Sequence, residues 1–311
     1  MPGLISVVVC THDRADVLAG ALLSLGEQTL DRTCYEVIVV DNNSTDNTPA
    51  VVEDFRLRFP DVRYYLETQQ GLSHARNRGW REAHGEYIGY MDDDSKAPPE
   101  WLEVAKEVID EQAPAAFGGP NYPFYNSLRP RWFKDEYGTH QLGPEARALD
   151  STEYVYGMNV FFRRAVLETL GGFDPALGMC GKRIAYGEET AVLLGIRAEM
   201  PDEVIYYEPR LYVHHLVPAR KMTWPWILRA SWAGGRYSYL AFGEKRRWTK
   251  GWRGLVRALF EVMILGGVLL RGVLRRDRQM YPYFENYAYE RVRRHLVKLG
   301  ALFEQVRHNL I

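Results

Sequence analysis

The chain has 311 residues, 46% hydrophobic and 25% charged, with a formal net charge of −1. That composition fits an ordinary globular protein with ample length for a core, and three scattered cysteines (Cys10, Cys34, Cys180) exclude a disulfide framework. The neutral total hides an asymmetry: residues 1–215 hold 20 Lys and Arg against 34 Asp and Glu, and residues 216–311 hold 19 against 6.

The opening "MPGLISVVVCTHDR" lacks the basic and long apolar regions of a signal peptide and reads as a first strand, "LISVVVC". "ADVLAGALLSLGEQ" spaces its apolar residues as a helix does. "YEVIVVD" is a second strand closed by Asp41. The turn "NNSTDNTP" offers Asp46 or Asn47 as the cap of a helix through Arg58. "VRYYLE" is a third strand, "GLSHARNRGWREA" a helix, and "GEYIGYMD" a fourth strand. "PPEWLEVAKEVIDE" is a helix with prolines at its start.

Strand and helix thus alternate four times, the pattern of a parallel α/β sheet with helices on its faces. Ligands bind such sheets beyond the carboxyl ends of the strands. Thr11, Asp41 and the triplet Asp92, Asp93, Asp94 all fall on that edge.

After Glu111 the alternation weakens. "AAFGGPNYPFYN" suggests a strand and a loop, and residues 125–152 read as one long active-site loop. "TEYVYGMNVFFRRAVLETLGGFD" gives a strand, a short helix and a turn; "GEETAVLLGIRAEM" is a helix opening on Glu188 and Glu189; "EVIYYEPRLYVHH" is strand-like. From Trp224 the text is helical and rich in Trp, Tyr and Arg. Its apolar piece "LFEVMILGGVLLRGVL", broken by Glu261 and Arg271, is too short to span a bilayer. Two readings fit it equally: a core-facing helix, or a helix lying in a bilayer interface, flanked by Trp248, Trp252, Arg253, Arg257, Arg271, Arg275 and Arg276. The domain division expected is 1–218 for the sheet and 219–311 for a basic helical region making acceptor, membrane-surface or oligomer contacts. The anionic partner for that basic region is a membrane face, nucleic acid, or the protein's own acidic body.

Three adjacent carboxylates at a strand end raise one another's pKa, and a divalent cation removes that penalty. Mn²⁺ or Mg²⁺ takes oxygen ligands from one or two carboxylates plus phosphates. Continued strand geometry would send Asp92 and Asp94 to one side and Asp93 to the other. Asp41 is placed to accept from an imide N–H or a ribose hydroxyl, or to stabilise its own turn. Arg76 suits phosphate or a base carbonyl, or a solvated helix face. Glu188 and Glu189 either complement the helix dipole or include a general base. His214 and His215 carry no metal-specific spacing.

"SVVVCTHDRADVLAGALLSLGEQTL", "EVIVVDNNSTDNT", "GLSHARNRGW", "YMDDD" and "GGFDPALGMCGKRIAYGEET", in this order across residues 4–197, together resemble the family-two inverting glycosyltransferases of the GT-A fold. The resemblance implies a Rossmann-like, mostly parallel sheet with helices on both faces, plus a helical C-terminal extension of the kind found in some surface-polysaccharide enzymes. It implies that Thr11 and Asp13 line the base and ribose, that Asp41 recognises the base (commonly uracil), and that Arg76 contacts the nucleotide. Asp92 and Asp94 match the pair that holds Mn²⁺ or Mg²⁺ on the diphosphate, with Asp93 between them. Gly118 and Gly119, and residues 157–159 including Asn159, match positions near the donor sugar and acceptor. Glu189 falls on the catalytic base, where most relatives carry Asp, with Glu188 as the alternative. His215 matches a histidine that completes the metal or diphosphate site, with His214 its competitor.

The implied reaction is a single inverting displacement from a nucleotide-diphosphate sugar, UDP favoured, to a hydroxyl of a saccharide or lipid-linked acceptor. Two other classes compete. A nucleotidyltransferase usually has a glycine-rich first turn, and here it reads "CTHDRAD"; a hydrolase needs only water as acceptor. A non-enzymatic membrane or nucleic-acid scaffold would explain the basic third, although nothing resembles a zinc finger or an RNP motif, so no nucleic-acid partner is expected. The expected location is cytoplasmic, peripheral to the inner face of the cell membrane.

Overall fold

In the computed structural model, residues 3–181, 183–242 and 252–309 are described. Trp248 lies outside them, as do the side chains of Trp252 and Arg253. The chain divides into two compact units: residues 1–124, 138–176 and 188–216 form the first, and residues 125–137, 177–187 and 217–311 the second.

The first unit begins with the expected alternation: β1 (Ile5–Thr11), α1 (Ala15–Gly26), β2 (Tyr35–Asp41), α2 (Thr48–Arg56), β3 (Arg63–Leu66), α3 (Leu72–Glu82), β4 (Tyr87–Met91), β5 (Ser95–Lys96) and α4 (Trp101–Gln112). It continues with β6 (Ala116–Gly118), β7 (Asn121–Phe124), β8 (Arg147–Ala148), β9 (Asn159–Arg163), α5 (Arg164–Leu170), α6 (Glu188–Glu199), β10 (Ile205–Tyr207) and β11 (Val213–Leu216). Eight strands form one sheet in the order β3-β2-β1-β4-β9-β6-β10-β8, and β5-β11-β7 form a second.

Strands β3, β2, β1 and β4 are parallel, with Thr11 opposite Asp41. The near-continuous apolar runs of β1, β2 and β4 follow from burial on both faces, whereas β3 at the sheet edge is only half-buried. Val7 and Val9 of β1 pack with α1, α2 and α4, while Val8 packs with α3, α5 and α6 on the other face. The sheet is mostly parallel, as expected; the parallel run read from the alternation ends at β9, which runs antiparallel to both β4 and β6. Past α4 no strand–helix–strand crossover fixes direction, so long-range pairing decides it. That reversal brings Asn159 opposite Met91, onto the same sheet edge as the acidic triplet.

Residues 125–152 are not one loop. Residues 125–137 belong to the second unit, while Arg147–Ala148 pairs antiparallel with β10 as an edge strand of the large sheet. The strand-like "EVIYYEPRLYVHH" is also split, because a turn closed by Leu211 N–H on the Glu208 carbonyl separates β10 from β11. The helix expected through Arg58 stops at Arg56; Asn47 holds its cap position without a side-chain bond, and Asp46 before it supplies one, its Oδ1 accepting from Thr48 N (3.0 Å). Asp46 also accepts from Ala15 N through Oδ2 (3.0 Å), so one carboxylate satisfies the amino ends of both α1 and α2.

Gly118 and Gly119 are demanded by packing. A Cβ on Gly119 would lie 1.9 Å from the Leu211 carbonyl oxygen and 2.6 Å from that of Glu208, both main-chain atoms. Gly119→Ala is therefore expected to cost about 3 kcal/mol of stability, read as a lowered urea midpoint. An unchanged midpoint would show that the two main chains can part without cost.

The second unit contains α7 (Trp224–Phe242), α8 (Trp252–Arg275), α9 (Phe284–Tyr287) and α10 (Arg293–Asn309), with one π-helical turn at Ala288–Val292. Helices α7 and α10 approach closely: a Cβ on Gly235 would lie 1.8 Å from the Val297 carbonyl oxygen, and one on Gly300 would lie 2.3 Å from that of Trp232. Residues 125–137 supply aromatic packing here. Tyr137 stacks on Tyr289 (3.9 Å between ring centroids) and Trp132 on Trp224 (5.8 Å). Phe133, Val217 and Met222 form a small buried cluster. Among the described residues, no helix is long and apolar enough to cross a membrane.

Candidate active site

The acidic triplet lies just past β4, but the strand does not continue through it. Ser95 N–H donates to the Asp92 carbonyl (3.0 Å), closing a turn. The side chains therefore do not alternate as a strand would make them. Asp93 and Asp94 are both buried, and Asp92 is half-buried. Arg14 braces the turn from below: its Nε lies 3.4 Å from Asp93 Oδ1, and its Nη2 donates to Asp94 Oδ2. Arg14 was not among the expected site residues. The available signal was a cation three residues past the end of β1, on the same sheet edge as three acids.

β11 delivers the histidine. His215 sits opposite Ser95, the residue after the triplet, and Leu216 N–H donates to the Asp94 carbonyl (2.9 Å). Period-two alternation then separates the pair of histidines. His215 is buried with Nε2 at 3.2 Å from Asp94 Oδ1, whereas His214 is exposed beside Tyr122 and Tyr212. Asp92, Asp94 and His215 each offer a ligand atom, all within 4.8 Å of one another. Two carboxylates and one imidazole, with Asp92 open on one side, are a donor set suited to a hard divalent cation that keeps positions for phosphate oxygens. Burial drives the Asp93 carboxyl well above the usual carboxylate range, against the pull of Arg14. Added positive charge relieves such a cluster.

Arg76 ties the acidic turn to α6. It is buried, with Nη1 donating to Glu188 Oε1 (2.9 Å), Nη2 donating to the Gly157 carbonyl (3.1 Å), and Nη2 at 3.7 Å from Asp92 Oδ1. A Cβ on Gly157 would fall 2.5 Å from the same guanidinium, so glycine makes the room for it. Arg76 thus faces protein groups, as a brace under the site. Burial and the neighbouring Glu189 push the Glu188 carboxyl above the usual range, and Arg76 opposes them. Glu188 is buried and engaged; Glu189 is half-buried and takes part in no hydrogen bond or ion pair among the described residues.

On the β1–β2 side two loops are laced together. Asp13, at φ 51°, accepts from Thr45 N (2.6 Å) and Thr45 Oγ1 (3.2 Å), while Asp13 N–H donates to Ser44 Oγ (2.9 Å). The Thr45 amide holds the Asp13 carboxyl below its ordinary pKa. Asp41 is nearly inaccessible: Oδ1 accepts from Ser44 N (2.8 Å) and Oδ2 from the Tyr64 hydroxyl (2.7 Å). Thr11 is buried beside it at the end of β1.

Asn159 is placed differently from the expectation. Its Oδ1 accepts from Trp101 Nε1 (3.0 Å), and its Nδ2 donates to the carbonyls of Leu211 (2.6 Å) and Pro120 (3.2 Å). It is 1% exposed, and these three bonds clasp β9 to the neighbouring turns. Gly119 likewise serves main-chain packing. Thr11, Asp41 and the acidic triplet lie on the sheet edge where the alternation put them, and the fold adds His215 through β11 and the Glu188–Glu189 pair through Arg76.

Residues 6–171 match the model of the family described as glycosyl transferase family 2. The chain is 26% identical over 238 residues to a glucosyl-dolichyl phosphate glucuronosyltransferase of Haloferax volcanii, covering 74% of this chain and 75% of the relative. It is 28% identical over 244 residues to the succinoglycan biosynthesis protein ExoM of Rhizobium meliloti, covering 78% and 76%. Among solved structures it resembles the mannosyltransferase PcManGT of Pyrobaculum calidifontis in complex with GDP-Man and Mn²⁺, with a TM-score of 0.64, 21% identity, and coverage of 98% of this chain and 86% of that one. Residues 1–349 of S. aureus TarS in complex with UDP-GlcNAc give a TM-score of 0.57 at 18% identity, covering 97% and 89%. At these identities the structural likenesses speak for the fold.

Proposed function

Because this chain belongs to glycosyl transferase family 2, we propose that it is a metal-dependent, inverting transferase, moving a sugar from a nucleotide-diphosphate donor to an acceptor hydroxyl. We take UDP as the favoured nucleotide and a saccharide or lipid-linked carrier as the acceptor. The observation that carries this reading is the convergence of Asp92, Asp94 and His215 within 4.8 Å, joined through Arg76 to the acidic start of α6.

Asp92, Asp94 and His215 would hold Mn²⁺ or Mg²⁺, whose chemistry is to neutralise the charge gathered on a departing diphosphate. Arg14 keeps the triplet compact and its charge balanced. Thr11, Asp13 and Asp41 form the floor for base and ribose. With both Asp41 oxygens already engaged by Ser44 and Tyr64, a base N–H would use a second lone pair. Arg76 positions Asp92 and Glu188. Glu189, unengaged, is assigned the proton of the acceptor hydroxyl, with its partner Glu188 held by Arg76. Removing that proton as the acceptor oxygen attacks the anomeric carbon completes one in-line displacement with no covalent intermediate.

Family membership displaces the nucleotidyltransferase and scaffold readings. A thermal-shift panel of UDP, GDP and TDP, each with Mn²⁺ or Mg²⁺, tests the donor and metal assignments. UDP with metal is expected to raise the midpoint most; a ligand at a hundred times its Kd adds about 2.7 kcal/mol. A larger rise with GDP would reassign the base. A rise that ignores the metal would remove the role given to Asp92, Asp94 and His215.

A further inference from the structure

Helix α8 has two unlike faces. Gly254, Glu261 and Gly272 are buried, and Ala258, Leu265 and Val268 half-buried. These positions recur every three or four residues and make one narrow stripe, where Glu261 Oε1 meets His295 Nδ1 of α10 at 2.5 Å. The other described side chains of the helix are exposed. Leu255, Leu259, Phe260, Met263, Leu270 and Leu274 are between 54% and 73% exposed. At 3.6 residues per turn they occupy an arc of roughly 140° opposite the buried stripe, and no charged residue among those described falls inside it. The exposed residues Arg257, Arg271 and Arg275 gather along one flank of that arc.

A folded monomer rarely leaves an apolar surface of this extent in water. A wide uncharged arc edged by arginine is the pattern of a helix that lies in a membrane interface. Across about 24 residues the helix is roughly 36 Å long. We propose that α8 docks in the plane of a lipid bilayer, its apolar arc among the acyl chains and Arg257, Arg271 and Arg275 at anionic head groups. A second copy of this chain fits less well. Among the described residues the outward side of α8 offers three arginines and no acid, since Glu261 faces α10, so two such helices would bring no counter-charge to each other. Anionic lipid brings it, and residues 216–311 as a whole hold 19 basic against 6 acidic residues. This inference stands on the second unit alone and does not depend on the assigned chemistry.

Flotation of the full chain with phosphatidylcholine vesicles, with and without phosphatidylglycerol, provides the test. Two variants accompany it: Met263→Glu with Leu270→Glu, and Arg257→Ser with Arg271→Ser and Arg275→Ser. The wild type is expected to float with both vesicles, about tenfold more strongly with the anionic lipid. The glutamate variant should lose about tenfold or more on both. The serine variant should lose only the anionic increment. All five positions are exposed, and thermal unfolding checks that each variant is folded. Absence of wild-type binding, or an anionic increment that survives the serine variant, overturns the proposal. So does a lipid-free dimer, seen by light scattering, that the glutamate variant dissociates.

Discussion

Asp94→Ala is expected to lower glycosyl transfer by about a thousandfold or more, with the loss falling on turnover. Asp94 is the acid on which the site converges: Arg14 grips one carboxylate oxygen, His215 approaches the other, and its main-chain carbonyl pairs with β11. Asp92 is half-buried and His215 reaches the cluster through Asp94, so no neighbour can substitute. Because the side chain is also a structural anchor, activity alone does not decide the matter. The discriminating measurement is the thermal shift by UDP with and without Mn²⁺, made on variant that circular dichroism shows to be folded. The metal-dependent increment should vanish while the fold persists. A folded variant that turns over near the wild-type rate would end the metal role given to this residue.

Glu189→Gln is expected to reduce kcat by a factor of about 10² to 10⁴ and to leave the KM for donor near its wild-type value. The amide preserves shape and hydrogen bonding but cannot accept the proton. The geometry favours Glu189 over Glu188 because Arg76 already occupies Glu188 at 2.9 Å. Glu188→Gln should instead weaken the brace beneath Asp92 and show up as lost stability along with lost rate. If Glu189→Gln keeps full turnover while Glu188→Gln is dead, the assignment of the two acids is reversed.

Strands β1, β2 and β4 were readable because a core strand covered on both faces writes itself as an unbroken apolar run. The polar residue that ends it is then forced to the sheet edge. Thr11, Asp41 and Asp92 needed nothing more. What could not be read depends on partners far away in the chain. Arg14 acquires its meaning only when the end of β1 lies beside the end of β4. Asn159 looks like a ligand-facing amide until the carbonyls of Pro120 and Leu211 arrive from either side. His214 and His215 were left open because alternation separates them without saying which faces inward; the pairing of His215 with Ser95 settles that. Asp92 and Asp94 do come together, through a turn and not through strand alternation. The resemblance in motif order was a stronger guide to the chemistry than any one of those residues.

The path of the backbone constrains anyone who would take this protein apart. Residues 125–137 and 177–187 leave the sheet-bearing unit, pack among the helices, and return. A gene cut after Leu216 would therefore discard the surroundings of Tyr137 and Trp132, two rings that stack on Tyr289 and Trp224, and leave them bare in the shortened product. Such a fragment should be sticky and hard to purify even with its sheet intact. Chimeras that exchange the helical part between relatives will need to carry both excursions with it.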